Sequence, residues 1–384
     1  MPRADKSKTV TVISYNLARG SAISCSAVAL ALKPHYDVQL IGTLFGDSTW
    51  TGLDDLDVEV EVLRGCEFPA YLGVVRRMLS KIRGSVVIAH QLRFPSFGVG
   101  LLHKMRSGSP CTVYLDDDDL ILTMPGRRQP WRRRLRNPIG DLPARAMYRL
   151  RSRADAFFCG SDFFSAQFGG ITVPLGRDAA YYRPEEYNQN EIRAQLGIQP
   201  NEIVIGFMGN ARPPVGIEDL ISALEILNNG DHTLLVAPPG RVTDFGKELF
   251  ARTSVRIRLI EDQPSSRVRE FLAASDLVVV PQRTEDVSQG QLPARLVEAM
   301  AMAKPIITTR LADIPRLLED GGIYVDERDP AQLAVAIEWM RTHRDEAAAM
   351  ASKARRCFIE KLSVEAMGNR MIPELDRLLA KAER

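Results

Sequence analysis

Short β-branched runs alternate with helical patterns along almost the whole chain, and this alternation constrains the fold more than any other feature. In the first half the runs are Thr9–Ser14, Asp37–Leu44, Val58–Leu63, Ser85–Ala89, Cys111–Leu115 and Ala156–Cys159. Helical patterns lie between them, as at Ala22–Leu32 and Pro69–Lys81. A second series starts after Pro184, with runs at Glu202–Met208, Thr233–Ala237, Val255–Leu259, Leu277–Val280, Pro305–Thr308 and Gly322–Val325. Its helical patterns include Gly216–Leu227, Ser265–Ala273, Ala294–Met302 and Pro330–Arg341. Parallel strands need a crossover between them, so the alternation predicts βαβ units and parallel sheets. Thr172–Pro200 is polar, Pro-containing and weakly periodic, and reads as a hinge. The expectation is an α/β chain of two doubly wound, Rossmann-like domains facing across a cleft. They cover residues 1–183 and 184–365. One long amphipathic helix from about Ala351 to Arg384 follows, whose end, 366–384, can pack back on the first domain. Ligands of open α/β sheets bind at the carboxyl ends of the strands.

Composition enters mainly through what it excludes. The 384 residues are 45% hydrophobic and 26% charged, an ordinary globular balance that argues against disorder and coiled coil. No run reaches the roughly 18 apolar residues of a spanning helix, and Thr9–Ser14 is too short for the apolar core of a signal peptide. The five cysteines and five histidines are scattered, without C-x-x-C spacing, so neither a disulfide framework nor a zinc site is expected. A cytoplasmic setting fits. The net charge of +2 hides a gradient: residues 1–184 carry 25 Lys and Arg against 17 Asp and Glu, and the remainder 25 against 31. The first half is therefore +8 and the second −6.

Several segments carry chemistry. Residues 290–309 read GQLPARLVEAMAMAKPIITT, a loop, a helix, a tight turn and a buried strand. Amides at Gly290, Gln291 and Leu292 precede a helix N-terminus, which suits phosphate oxygens. Glu298, about one turn into that helix, has the acceptor oxygens to bind two vicinal hydroxyls, or is a solvated surface residue. Residues 16–22, NLARGSA, follow the first strand and open a helix, and Gly20 lets a ligand approach the backbone. Arg19 and Ser21 are either ligand-facing or ordinary turn residues. His90 ends a strand on the side where ligands bind, or is structural. Asp116-Asp-Asp-Asp119 follows another strand, and adjacent carboxylates need cations, amides or water. Residues 127–136 hold six arginines and Trp131 in ten residues, followed by Arg145, Arg149, Arg151 and Arg153. Such a stretch suits an anionic membrane surface or a diphosphate-bearing acceptor, or is a solvated loop. No nucleic-acid recognition motif accompanies it.

The 290–309 segment resembles the donor-binding motif of GT-B glycosyltransferases of the family 4 group, which read E-x7-E followed by A-M-A-x-G-K-P-V-I. The resemblance extends further. Residues 205–209, IGFMG, look like the strand and glycine turn that open the family's C-terminal domain, and 216–224, GIEDLISAL, like the helix after it. Residues 272–281, LAASDLVVVP, and 321–333, GGIYVDERDPAQL, match later strands and helices in the family's order. Ser161, Pro174 to Asp178 and Tyr182 to Pro184 are similar to its interdomain linker.

The departures are as informative. The first Glu of E-x7-E falls on Gly290, while Pro293, Arg295 and Glu298 fit a P-x-[KR]-x-x-E form. The basic pair that grips the donor diphosphate in the family falls on Asn210 and Val215. Arg212, Arg283 and Arg295 are the candidates to replace it, because a diphosphate needs compensating charge or amide donors.

The resemblance implies a retaining transferase that moves a sugar from a nucleotide-sugar donor to a glycan, lipid-linked or small-molecule acceptor, in polysaccharide or glycoconjugate synthesis, with no metal required. Gly209, Asn210, Arg212, Arg283, Gly290, Gln291, Leu292, Arg295 and Glu298 would bind the donor, with Gly20 bordering its phosphates. His90, Asp118 and Asp119 would line the acceptor side as the catalytic candidates. Two alternatives stand beside it: a GT-B-like binding or scaffold protein without turnover, and a metal-dependent transferase using Asp116–Asp119. The partners expected are the donor, the acceptor and an anionic membrane surface on the cytoplasmic face, not nucleic acid.

Overall fold

The computed structural model describes residues 8–54, 56–116, 131–228, 230–238, 240–285 and 290–382. The chain divides into two compact units, residues 1–178 with 364–384, and residues 179–363.

The first unit runs β1 (Thr9–Ser14), α1 (Arg19–Leu32), β2 (Asp37–Leu44), β3 (Glu59–Arg64), α2 (Tyr71–Lys81), β4 (Val86–His90), α3 (Val99–Ser107) and β5 (Cys111–Leu115). It continues through α4 (Trp131–Arg136), α5 (Asp141–Arg149), β6 (Phe157–Cys159), α6 (Asp162–Phe168) and β7 (Ile171–Thr172). Its strands form one seven-stranded sheet in the order β3-β2-β1-β4-β5-β6-β7. Every pair is parallel. β7 is too short to stand out as a run in the sequence.

The second unit runs α7 (Gln189–Gln195), β8 (Ile203–Met208), α8 (Ile217–Leu227), β9 (His232–Ala237), α9 (Asp244–Ala251), β10 (Arg256–Leu259), α10 (Val268–Ala274) and β11 (Leu277–Val280). Then come α11 (Ala294–Ala301), β12 (Ile306–Thr309), α12 (Ile314–Leu318), β13 (Ile323–Val325), α13 (Pro330–Thr342) and α14 (Arg344–Lys361). The six strands pair in parallel in the order β10-β9-β8-β11-β12-β13. The strand order reverses beside β1 in one sheet and beside β8 in the other, and such points open a crevice at the strand ends.

Parallel sheets covered on both faces need apolar side chains pointing both ways. Along β11, Val278 and Val280 enter one core and Leu277 and Val279 the opposite one. Along β4, Val86 and Ile88 face one side and Val87 and Ala89 the other. This explains why the strands read as continuous apolar runs rather than alternating ones.

One expectation is corrected. The helix from about Ala351 to Arg384 is two helices, α14 and α15 (Val364–Ala382). The Ser363 hydroxyl donates to the Ile359 carbonyl at 2.8 Å, and the Val364 amide goes to the Arg177 carbonyl at 3.1 Å instead of continuing the helix. α15 then packs on α1, where a Cβ on Gly368 would stand 2.4 Å from the Ala31 carbonyl oxygen, and Tyr36 donates to Asp376 at 2.8 Å. Among the described residues, no helix is long and apolar enough to cross a membrane.

Candidate functional site

In the second unit, the loop after β8 and the first turn of α11 converge. Gly209 ends β8 at φ 136°, a conformation that favours glycine. A Cβ there would reach 3.6 Å from Arg295 Nη1, so the backbone and the guanidinium are neighbours. Arg295 lies over the buried Phe207 ring, 5.3 Å from its centroid, and donates through Nη2 to the side chain of Gln282. Its Nε is buried without a hydrogen-bond partner among the described residues, as is Asn210 Oδ1. Burial, and then the positive charge of Arg212, push the Arg295 guanidinium down to about 10, while Glu298 acts in the opposite direction. Two guanidiniums that repel, a donor without an acceptor among the described residues and a helix start without a side-chain cap are features that suit an anion. Gly209, Asn210, Arg212, Arg295 and Glu298 thus gather there, with Gly290, Gln291 and Leu292 leading directly into α11. Residues 286–289 lie outside the described residues.

Arg283 is used differently. Its guanidinium forks onto Asp219 at 2.8 and 3.0 Å, reaches Glu218 at 2.7 Å and the Pro213 carbonyl at 3.2 Å. It braces the loop before α8 against the end of β11. Val215 is part of the core.

In the first unit, β1 leads through residues 15–18 into α1. The Asn16 side chain accepts from the Phe45 and Ala18 amides at 3.0 and 3.3 Å, and the Leu17 amide reaches the Thr43 carbonyl at 2.7 Å. Gly20 is exposed, and a Cβ added to it would meet nothing within 4 Å. Beside this loop stands a buried polar chain. Ser14 Oγ lies 2.8 Å from Ser21 Oγ, Ser21 Oγ 3.0 Å from His90 Nδ1, and His90 Nε2 3.0 Å from Asp116 Oδ1. The His90 and Asp116 side chains are 3% and 5% exposed, so both are largely closed to solvent. The imidazole is flanked by Tyr15 and Tyr114, at 5.7 and 6.3 Å between centroids.

Burial opposes charge on His90, but Cys25 and the Asp116 carboxylate outweigh it and hold the ring protonated well above the usual imidazole range. Burial likewise opposes charge on Asp116, and the imidazolium, with donors from Ser24 and Gln91, keeps that carboxyl below the carboxylate range. Asp118 and Asp119 lie outside the described residues, as do Arg127 and Arg128.

The basic stretch becomes α4, α5 and a short turn at Arg151–Arg153. Arg134 pairs with Asp141 and Arg136 with Glu67, the latter at 3.0 Å. Arg145, Arg149, Arg151 and Arg153 are exposed.

Sequence reasoning had no signal for Gln282, Asp219, Ser14 or Phe207, because each acquires its role from a contact distant along the chain.

Residues 202–343 match the family described as Glycosyl transferases group 1. Among curated proteins, the chain is similar to the D-inositol 3-phosphate glycosyltransferases of Segniliparus rotundus and Nocardia farcinica. Both are 28% identical, covering 41% and 47% of this chain and 36% and 42% of those proteins. It is 26% identical to the putative teichuronic acid biosynthesis glycosyltransferase TuaC of Bacillus subtilis, over 39% of this chain and 36% of that protein. The chain thus matches less than half the length of these relatives. Among solved structures, HepE of Anabaena in complex with UDP and glucose has a TM-score of 0.74 at 19% identity, covering 96% of this chain and 99% of that one. A glycosyltransferase from Rickettsia africae has a TM-score of 0.73 at 16% identity, covering 97% and 98%. The two parallel-sheet units therefore have the GT-B glycosyltransferase fold, and the stretch that matches the group 1 family is the one that carries the motifs resembling it.

Proposed function

We propose that the protein is a glycosyltransferase that takes a sugar from a nucleotide-sugar donor bound by the second unit and passes it to an acceptor bound by the first. The observation that carries this reading is the Arg295 guanidinium. Its Nε is buried and has no acceptor among the described residues, and the guanidinium, at the start of α11, feels the positive charge of Arg212. A nucleoside diphosphate supplies the missing acceptors and relieves the repulsion between the two cations. Arg295 and Arg212 then replace the basic pair lost at Asn210 and Val215. Glu298 binds the ribose hydroxyls, and the Gly209 and Gly290–Leu292 amides contact the phosphates.

Transfer proceeds with retention of configuration and without a metal, through stabilisation of the leaving diphosphate. The relatives' names mention inositol 3-phosphate and teichuronic acid, which favours a glycoconjugate or polysaccharide acceptor. Exposed Arg145, Arg149, Arg151 and Arg153, with Leu135 and Leu150 at 55% and 42% exposure, favour contact with an anionic membrane surface. Vesicles with and without anionic lipid test that part, and equal sedimentation with both removes it.

Calorimetry with UDP, GDP and ADP tests the donor site, and release of nucleotide from the matching nucleotide sugars tests turnover. Binding of at least one diphosphate is expected. Absence of binding to all three rejects the reading. Binding without turnover on any acceptor favours the second one, a binding protein, to which the Gly290 replacement points.

A further inference from the structure

Asp116 is buried and committed to the interior. Its carboxylate accepts from His90 Nε2 at 3.0 Å and from Gln91 Nε2 at 3.4 Å, with Ser24 of α1 as a further donor. The protons along the chain can be counted from its far end. A carbonyl only accepts, so the Ser14 hydroxyl proton goes to the Asn16 carbonyl at 3.0 Å. Ser14 Oγ is then the acceptor of the 2.8 Å contact, and the Ser21 hydroxyl proton is spent on it. On that assignment Ser21 Oγ accepts in turn, and His90 Nδ1 carries a hydrogen. Nε2 faces a carboxylate oxygen and carries one as well. Both ring nitrogens therefore donate, and the ring is an imidazolium between two phenol rings, a placement that suits a cation. Arg93 lies 5.6 Å from the Tyr15 ring, and Cys25 is a further titratable group against the imidazole among the described residues.

We infer that Asp116 and His90 are positioning residues that pin the β1–α1 loop through Ser21 and Ser14, rather than groups that touch a ligand. The His90 ring has no free nitrogen and no exposed face with which to act as a base. Its output is the orientation of the Asn16 carbonyl and of the first two turns of α1, where Ser21 and Ser24 sit. The β1–α1 loop is held at one end by Thr43, which donates to the Tyr15 carbonyl at 2.7 Å, and at the other by this chain. The consequence for the acceptor side rests on the transfer reading. The pin itself does not.

The test is nuclear magnetic resonance and amide hydrogen exchange on the full chain, neither of which needs turnover. Two slowly exchanging ring N–H protons assigned to His90 are expected in the wild-type protein, and one alone overturns the proposal. Ser21→Ala removes the link while leaving the His90–Asp116 pair in place. It is expected to speed exchange of the Leu17–Ser21 amides at least tenfold, with the β4 and β5 amides unchanged. Asp116→Asn is expected to do the same and to lose the Nε2 proton signal. Unchanged loop exchange in Ser21→Ala overturns the proposal even where Asp116→Asn fails to fold. Nucleotide binding measured on the same samples separates this outcome from failure of the transfer reading.

Discussion

Arg283 and Asp219 form a forked ion pair, with Nε and Nη2 at 3.0 and 2.8 Å from the two carboxylate oxygens, that ties the end of β11 to the first turn of α8. Arg283 is 8% exposed, so removing it strands two carboxylates in a largely closed site. Arg283→Met is expected to destabilise the protein by about 2 kcal/mol, less than a fully buried pair because Glu218 keeps partial contact with water. Urea denaturation measures it. A cost within error of zero would mean that the pair contributes nothing net.

Arg295 is expected to behave in the opposite way. Its Nε has no partner among the described residues, and burial and Arg212 disfavour its charge, so Arg295→Met is expected to leave stability nearly unchanged or slightly raised. Nucleoside diphosphate affinity should fall roughly 10- to 100-fold, the value of one or two charge-assisted hydrogen bonds. Arg295→Lys keeps the charge but not the fork and should lie between. Calorimetry checks both, and equal affinities for wild type and Arg295→Met would remove Arg295 from the donor site.

Gly216 sits at φ 70° with its α-carbon against β11, where a Cβ would stand 1.9 Å from the Pro281 carbonyl oxygen. No side-chain rotation relieves a clash with backbone. Gly216→Ala is expected to cost about 3 kcal/mol, from the left-handed conformation and the displaced strand end together. Thermal unfolding should show it, and a native melting temperature would contradict the geometry.

His232, at the start of β9, is 4% exposed, and neither ring nitrogen has a hydrogen-bond partner among the described residues. Burial holds its pKa below the usual imidazole value, with Glu338 opposing. The unfolded chain therefore takes up this proton first as pH falls. The contribution is intact above about pH 6.5 and is lost as pH drops from there through the lower folded value. One proton limits the slope to about 1.4 kcal/mol per pH unit. Denaturation of wild type and His232→Gln between pH 7.5 and 5 should show a steeper acid loss in wild type. Parallel curves would show that the His232 proton is not involved.

The sequence by itself determined the architecture. Strands buried on both faces are apolar at most positions, so β4, β8, β11 and β12 announce themselves as short runs dominated by Val, Ile and Leu or closed by small and Thr residues, and their alternation with helices demands parallel sheets. The candidate residues of the α11 segment stood out in the sequence because Gly290, Arg295 and Glu298 are close together and share one loop and one helix. What the tertiary structure decided is how side chains far apart in the chain divide their hydrogen bonds. Arg283 and Arg295 are both arginines in the same region of sequence. Asp219 and Glu218, more than sixty residues away, take the donors of the first, while the second keeps one without an acceptor among the described residues. His90 looks like a ligand-facing residue at a strand end until Ser21 and Asp116 occupy both of its nitrogens. The break between α14 and α15 depends on an Arg177 carbonyl that no local pattern contains. Local periodicity encodes which faces are buried. The partner that satisfies each buried polar atom is a property of packing, and it exists only once the chain has folded.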